Sequence, residues 1–275
     1  MSTAQERWIE SHPYLRNVAE FQQTVTEVFS QLAPKPVPTP DWKMVLANCG
    51  EGVPLLESMS GEREYPSAAG ELLLAGNTEL LKHSLTDALT NSGKLLGEYL
   101  RASDENCLKA IEWVQSGSEE DAPPPSAGLL RVLAWAAIRR ALAPVLKSYA
   151  ELRKDEDWMR AYCPVCGAPP PLAQVHPKGG LPRILACCHC RTSWQFQRIG
   201  CPFCGNDDQN QLSVLTIEQE PLFRLDTCGE CNGYLKTYLG ESDLELHLSD
   251  WSSLHLDLLA KENKLERKGA SLFEI

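Results

Sequence analysis

Three features that mark large classes of protein are missing from this 275-residue sequence. No stretch approaches the roughly 18 uninterrupted apolar residues of a membrane span, so no membrane insertion is expected. The first residues, MSTAQERWIESHPYL, lack a basic stretch followed by an apolar one, which predicts no secretory signal. The formal net charge is −11, whereas a general nucleic-acid binder would be basic. These absences favour a soluble protein of the cytoplasm.

Short catalytic motifs are missing as well. The sequence contains no phosphate-binding Walker loop, no G-x-G-x-x-G dinucleotide fingerprint, no H-E-x-x-H zinc-peptidase helix and no G-x-S-x-G nucleophile turn. We therefore identify no catalytic residue and no binding residue for an organic cofactor.

The first half of the chain has the spacing of helices. Apolar residues recur every three or four positions over residues 14–32, and further amphipathic stretches cover residues 79–100 and 104–114. A long buried helix is predicted over residues 129–149, with a bend near Pro144.

The pattern changes at Tyr162. Short β-prone runs follow at residues 183–186, 192–199, 212–217, 222–226 and 234–239, and helical spacing returns over residues 250–268. The predicted class is α+β: a mainly α-helical N-terminal domain, two tandem four-cysteine knuckle domains of the zinc-ribbon kind, and a C-terminal helix. The expected boundaries are 1–160 for the helical domain, 161–198 and 199–240 for the cysteine domains, and 241–275 for the helical tail.

Cysteine usage is the most informative feature that is present. Of eleven cysteines, Cys49 and Cys107 stand alone and are interpreted as small buried hydrophobes. The other nine lie within residues 163–231. A reducing cytosol disfavours disulfides, and such clustering in a chain without an export signal is more typical of metal binding.

Eight of these nine cysteines form four Cys-x-x-Cys pairs. The first two pairs are separated by 20 residues and the last two by 23, close to the spacing of four-thiolate sites. The segments Cys-Pro-Val-Cys-Gly and Cys-Pro-Phe-Cys-Gly also repeat. We predict two closed structural sites, each with one metal ion. Their ligands are Cys163, Cys166, Cys187 and Cys190 for the first, and Cys201, Cys204, Cys228 and Cys231 for the second.

Two neighbouring residues and the choice of metal stay open. Cys188 lies outside the Cys-x-x-Cys spacing and is interpreted as a thiol that binds no metal, and His189 is a minor alternative ligand. Four sulfurs in tetrahedral geometry suit zinc and iron equally.

These motifs resemble those of the formate dehydrogenase accessory protein family FdhE. The matching segments are YCPVCG from Tyr162, LACCHC from Leu185, CPFC from Cys201 and CGECNGYLK from Cys228. In the family the second pair is a plain Cys-x-x-Cys, so Cys188 is a departure.

The resemblance implies a cytoplasmic biogenesis factor and no enzyme. Members of the family bind the catalytic subunit of respiratory formate dehydrogenase before its export by the twin-arginine route. The resemblance also implies a rubredoxin-like metal domain and favours iron over zinc at the eight cysteines. The partner-binding surface and the oligomeric state are left undetermined.

Two other functions remain as alternatives. The first is a redox protein whose iron–tetrathiolate centre exchanges electrons with a maturing partner, and exposed metal sites would favour it. The second is a zinc-ribbon adaptor for nucleic acid or transcription partners. Basic and acidic residues are equally numerous over residues 161–240, so the electrostatic drive for phosphate binding is lacking.

Overall fold

The computed structural model describes residues 2–61, 64–117, 123, 127–176 and 182–273, and it divides the chain into two compact units. One unit comprises His12–Trp42 and Met59–Leu152, and the other comprises Ser2–Ser11, Lys43–Ser58 and Arg153–Ile275. The helices of the described residues are α1 (Thr3–Ser11), α2 (Arg16–Gln31), α3 (Trp42–Glu51), α4 (Leu55–Ser58), α5 (Glu64–Leu80), α6 (Asp87–Ala102), α7 (Asp104–Ser116), α8 (Ala127–Ala141), α9 (Ala143–Leu152), α10 (Leu244–His247) and α11 (Leu254–Glu262). Short 3₁₀ helices lie at Pro13–Leu15, Asp155–Asp157 and Asp250–Ser253.

The first unit is built around α8, whose side chains are buried on nearly all sides. Helices α2, α5, α6 and α7 pack against it. Trp135 and Leu133 on α8 are almost completely buried and form the middle of this core. A helix that is apolar all round requires neighbours on every face, which explains the bundle.

Helix boundaries in this unit follow local capping. The predicted bend near Pro144 is a break at Leu142 between α8 and α9, because proline has no N–H to continue the helical hydrogen bonds.

The prediction of one amphipathic stretch over residues 79–100 was wrong in its extent. The chain leaves α5 after Leu80, and α6 begins only after Thr86, whose hydroxyl accepts a hydrogen bond from the N–H of Leu89 at 3.3 Å.

The second unit contains a six-stranded sheet. Its strands are β1 (Leu172–Gln174), β2 (Arg183–Ala186), β3 (Ser193–Phe196), β4 (Leu212–Thr216), β5 (Phe223–Cys228) and β6 (Tyr234–Tyr238), in the order β3-β2-β1-β6-β5-β4. Each half is a three-stranded antiparallel meander. The two halves join through the parallel pair of β1 and β6, in which Leu172 lies opposite Lys236. The internal repeat of the sequence is thus a repeat of structure, placed head to tail in one sheet.

The predicted α+β class is confirmed, with a helical N-terminal region, two four-cysteine clusters and a C-terminal helix. The helical part of the tail is shorter than predicted and ends at Glu262. Beyond it, Glu266 donates its N–H to the carbonyl of Asn232 and forms an isolated parallel bridge with Gly233. The proposed domain boundaries stay predictions, and Ser2–Ser11 and Lys43–Ser58 lie in the same compact unit as the sheet.

Candidate metal centres

The first group of four cysteines, here called the first cluster, lies at one end of the β1–β2–β3 meander. Cys163 and Cys166 occupy the turn that precedes β1, and Cys187 and Cys190 occupy the turn between β2 and β3. All four sulfurs lie within 4.8 Å of one another. Cys163, Cys187 and Cys190 are buried and Cys166 is half-buried.

The second cluster repeats this arrangement on the β4–β5–β6 meander. Cys201 and Cys204 precede β4, and Cys228 and Cys231 flank the turn between β5 and β6, again with all sulfurs within 4.8 Å. This cluster is more open to solvent, since Cys204 is exposed and Cys231 half-buried.

The four Cys-x-x-Cys turns share one backbone feature. The residue after the second cysteine adopts a left-handed φ in all four turns: +75° at Gly167, +62° at Arg191, +77° at Gly205 and +56° at Asn232. Glycine adopts this conformation without steric cost, whereas arginine is strained there. In the first and third turns a backbone N–H also points at the first sulfur, from Val165 to Cys163 and from Phe203 to Cys201, at 3.4 Å in each case.

The distances between sulfurs fit a tetrahedral metal site. Across the first cluster, Cys163 and Cys190 are 3.3 Å apart and Cys166 and Cys187 are 3.5 Å apart; both cross-pairs of the second cluster measure 3.7 Å. Metal–sulfur bonds of about 2.3 Å place tetrahedral sulfurs about 3.8 Å from each other. A disulfide requires about 2.05 Å, so the arrangement is that of four separate thiols. The donor set therefore suits one metal ion in each cluster.

Without a cation, the crowded thiols resist full ionisation. Burial is the largest cause that raises the pKa of the Cys163 thiol, and Cys187 and Cys190 raise it further. Burial also raises the pKa of Cys201 to about 12. Burial would raise the pKa of Cys228 too, but the N–H of Cys231 and the Asn206 amide outweigh it and bring that pKa to about 7. A bound cation would replace the protons and remove this conflict.

The start of α4 and the loop before it hold the first cluster in place. The N–H groups of Leu55 and Leu56 donate to the carbonyls of Pro164 and Val165 at 2.9 Å, and the hydroxyl of Tyr162 donates to the carbonyl of Gly52 at 2.8 Å. These bonds fix both flanks of the first turn. Residues 50–56 were not expected near this site, because nothing in their sequence indicates such a partner.

The remaining cysteines lie outside both clusters. Cys188 is buried against Leu172, Ala186 and Leu248, which is the packing of a small hydrophobe. Cys49 and Cys107 are buried and form no disulfide, which agrees with their predicted interpretation as small buried residues. His189 is not among the groups that the described residues bring together for a metal.

A buried charged network packs against β6, and no motif in the sequence predicted it. The ammonium group of Lys236, 1% exposed, donates to Asp250 at 3.0 Å and to Asp257 at 2.8 Å. The hydroxyl of Tyr234 donates to Asp257 at 2.7 Å, and Asp250 also accepts from Ser271 and from the N–H of Leu272. The network connects β6, α11 and the last described residues.

Fold and sites together define a class: a helical protein with a tandem ribbon sheet that carries two four-cysteine clusters. Residues 185–273 match the family model described as FdhE, C-terminal domain. The chain is 32% identical over 186 residues to the protein FdhE homolog of Stutzerimonas stutzeri, which covers 64% of this chain and 57% of that protein. It is 34% identical over 137 residues to the homolog of Aquifex aeolicus, which covers 46% of this chain and 48% of that protein.

The chain thus spans about half the length of these curated relatives. The crystal structure of the FdhE protein from Pseudomonas aeruginosa has the same fold, with a TM-score of 0.66 and 24% identity over 97% of this chain and 92% of that one. The predicted resemblance to the FdhE family is confirmed, since residues 185–273 match the model of its C-terminal domain.

Proposed function

We propose that this chain is a non-catalytic accessory protein for the biogenesis of respiratory formate dehydrogenase. It acts in the cytoplasm and binds the catalytic subunit before export by the twin-arginine route. The observation that carries the proposal is the pair of four-cysteine clusters, six of whose eight cysteines lie in residues 185–273, the segment that matches the FdhE C-terminal domain. None of the helices of the described residues has the length and apolar character required to span a bilayer.

Each cluster is proposed to hold one metal ion through its four cysteines. The bound ion supplies a positive centre that ties the two Cys-x-x-Cys turns of a meander together. Iron is favoured by the family resemblance, and zinc fits the same donors. Four protein ligands leave no open position, so the centres stabilise the fold and do not activate water.

A redox function is the second candidate, and one observation favours it. Cys204 is exposed, so an iron at the second cluster lies within reach of an electron partner, whereas three sulfurs of the first cluster are buried. An iron held by Cys201, Cys204, Cys228 and Cys231 would supply one-electron transfer, with the partner as the electron donor or acceptor. Reductive titration of the iron form separates this function from a purely structural one.

The proposed function is tested by co-purification with a tagged catalytic subunit of formate dehydrogenase. We expect the full chain to co-purify and formate dehydrogenase activity to fall in cells that lack it. Wild-type protein restores the activity, and a Cys163→Ser, Cys201→Ser double variant does not. The matched control Cys107→Ser alters a buried thiol outside both clusters and restores activity. Full activity without the chain, together with no co-purification, would overturn the proposal.

A further inference from the structure

Strand β4 is an open edge of the sheet. It is the last strand in the order β3-β2-β1-β6-β5-β4, and no other strand of the described chain pairs with its outer side. Its residues are half-buried or exposed, with Val214 49% exposed. A strand of this kind presents backbone N–H and C=O groups to a further strand.

The hydrogen-bond pattern identifies the groups on this edge. Gly229 donates its N–H to the carbonyl of Gln211, and the register places Ser213 opposite Thr227 and Leu215 opposite Leu225. Alternate residues of an antiparallel pair face each other, so Ser213 and Leu215 bond to β5. Leu212, Val214 and Thr216 therefore turn their N–H and C=O groups outward.

The internal repeat shows how such an edge is used. Strand β1 of the first meander occupies the place that β4 occupies in the second. The outer edge of β1 accepts β6 in parallel pairing. No third repeat follows in the described chain to supply a strand for the equivalent edge of β4. The backbone of β4 therefore presents the same kind of edge that β1 presents to β6.

The charge around β4 selects the kind of strand that fits. Residues 205–222 contain no lysine or arginine. Asp207 and Asp208 are exposed before the strand, and Glu218 is exposed after it. Arg224 on the neighbouring strand is paired with Asp226 at 2.7 Å. A second copy of this chain would bring acidic residues against acidic residues, whereas a basic segment would be attracted.

We propose that the outer edge of β4 binds an extended, basic segment of a client protein as an additional strand parallel to β4. The backbone of Leu212, Val214 and Thr216 supplies the hydrogen bonds, and Asp207 and Glu218 supply the charge selection. The inference deepens the proposed function, and it rests on that function only for the identity of the client.

The first test is nuclear magnetic resonance of the isotope-labelled, metal-loaded full chain. The probe is a synthetic peptide of about twelve residues in which lysine alternates with valine and threonine, a length that spans a typical strand. We expect the amide signals of Leu212, Val214 and Thr216 to shift and to gain exchange protection. A control peptide with glutamate in place of lysine has no such effect. Equal binding of both peptides, or shifts confined to other surfaces, would overturn the proposal.

Two variants at Val214 distinguish backbone pairing at the edge of β4 from non-specific peptide binding. Val214→Pro removes one outward N–H but no bond to β5, and proline is tolerated at such an edge position. We expect it to weaken peptide binding about tenfold, as loss of edge hydrogen bonds requires, while Val214→Thr keeps the N–H and the affinity. If Val214→Pro loses metal or stability, the double variant Asp207→Asn, Glu218→Gln tests the proposal instead. Both side chains are exposed, so their replacement should leave the fold intact. Unchanged affinity in that variant would refute the charge selection.

The same variants distinguish this inference from the proposed function. If the catalytic subunit co-purifies with wild-type chain and not with Val214→Pro, the edge is the client site. If it co-purifies equally with both, the edge proposal fails and the proposed function stands. If it co-purifies with neither, the proposed function fails, and the peptide titration still decides the edge. A wild-type dimer that Val214→Pro dissociates would make a second copy the occupant and overturn the proposal.

Discussion

At the residue scale, the four residues that follow the Cys-x-x-Cys pairs differ in the steric cost of their left-handed backbone conformation. Gly167 and Gly205 carry no steric cost, and Asn232 tolerates the conformation while its side-chain amide donates to the carbonyl of Lys264 at 2.7 Å. Arg191 has a full side chain at φ +62° and only a long, exposed ion pair with Glu245 at 3.9 Å in return. The second turn of the first cluster is thus the strained one.

We expect Arg191→Gly to stabilise the metal-loaded protein by about 1 kcal/mol, because it relieves the left-handed strain. The midpoint of urea unfolding measures the effect. Asn232→Gly is the matched control at the equivalent position, and it should give no gain because it loses the bond to Lys264. Equal stabilisation by both changes would contradict this interpretation.

The buried charge of Lys236 predicts a distinctive pH dependence. Burial opposes the charge of Lys236, but Asp250 and Asp257 outweigh that effect and raise its pKa. The contribution of Lys236 to stability is therefore fully present below a pH of about 10.5 and is lost at higher pH. Burial would raise the pKa of Asp250, but Lys236 and the hydroxyl of Ser271 lower it below its ordinary value. The contribution of Asp250 to stability is therefore present above a pH of about 4 and is lost as the pH falls further. Between these limits the network contributes a constant amount.

Lys236→Met should reverse this behaviour. It leaves Asp250 buried without its cation, and the cost of removing one partner of a buried ion pair is about 3–5 kcal/mol. Burial then raises the pKa of Asp250 above its unfolded value of about 4, so the variant loses more stability at pH 8 than at pH 4.5. Unfolding free energies at both values, with the exposed Lys261→Met as control, measure the difference. A deficit that is the same at both values would show that the ammonium does not hold Asp250 ionised.

At the scale of elements, much of the cysteine half could be predicted from the sequence. The runs at residues 183–186, 212–217 and 234–239 agree with β2, β4 and β6 to within a residue. Strand β1 was missed because it has only three residues after Pro169, Pro170 and Pro171, and because its partner β6 is about sixty residues away. The Lys236 network was missed for the same reason, since Asp250 and Asp257 lie 14 and 21 residues further along the chain. Local pattern reveals local turns and strands, and it carries little information on distant pairing.

Loss of one cysteine ligand should affect the metal content and stability of its own meander and leave the other meander unchanged. Cys163→Ser and Cys201→Ser are each expected to release one metal and to loosen one meander, because ribbon folds derive much of their stability from the metal. Cys188→Ser should keep both metals, since its sulfur packs against Leu172 and Leu248. Metal content per chain after gel filtration measures this. Two metals retained in both ligand variants, or one lost from Cys188→Ser, would show that the ligands are wrongly assigned.

The two elements should also differ in how fast they lose metal. The second cluster has the exposed Cys204, whereas three sulfurs of the first cluster are buried. A chelator should therefore remove metal from the wild-type chain in a fast and a slow phase of equal amplitude. Cys201→Ser keeps only the slow phase and Cys163→Ser only the fast one. A single phase in the wild type would indicate that burial does not control release.

At the scale of the whole molecule, one sheet combines both clusters. The parallel pair β1–β6 joins the meanders head to tail, and the charged network ties the C-terminal segment to β6. The sheet has two edge strands, β3 and β4, and β4 is the one at which we propose that a further strand binds. We propose that the sheet is a metal-stabilised platform for a client protein.

The central claim is that both clusters hold a metal through four thiolates. Anaerobic metal analysis of untagged protein, together with its ultraviolet–visible spectrum, tests it most directly. We expect two metal ions per chain, with rubredoxin-like absorption if they are iron and none if they are zinc. A chain that is folded with no bound metal, and whose eight cluster thiols all react freely, would contradict the claim.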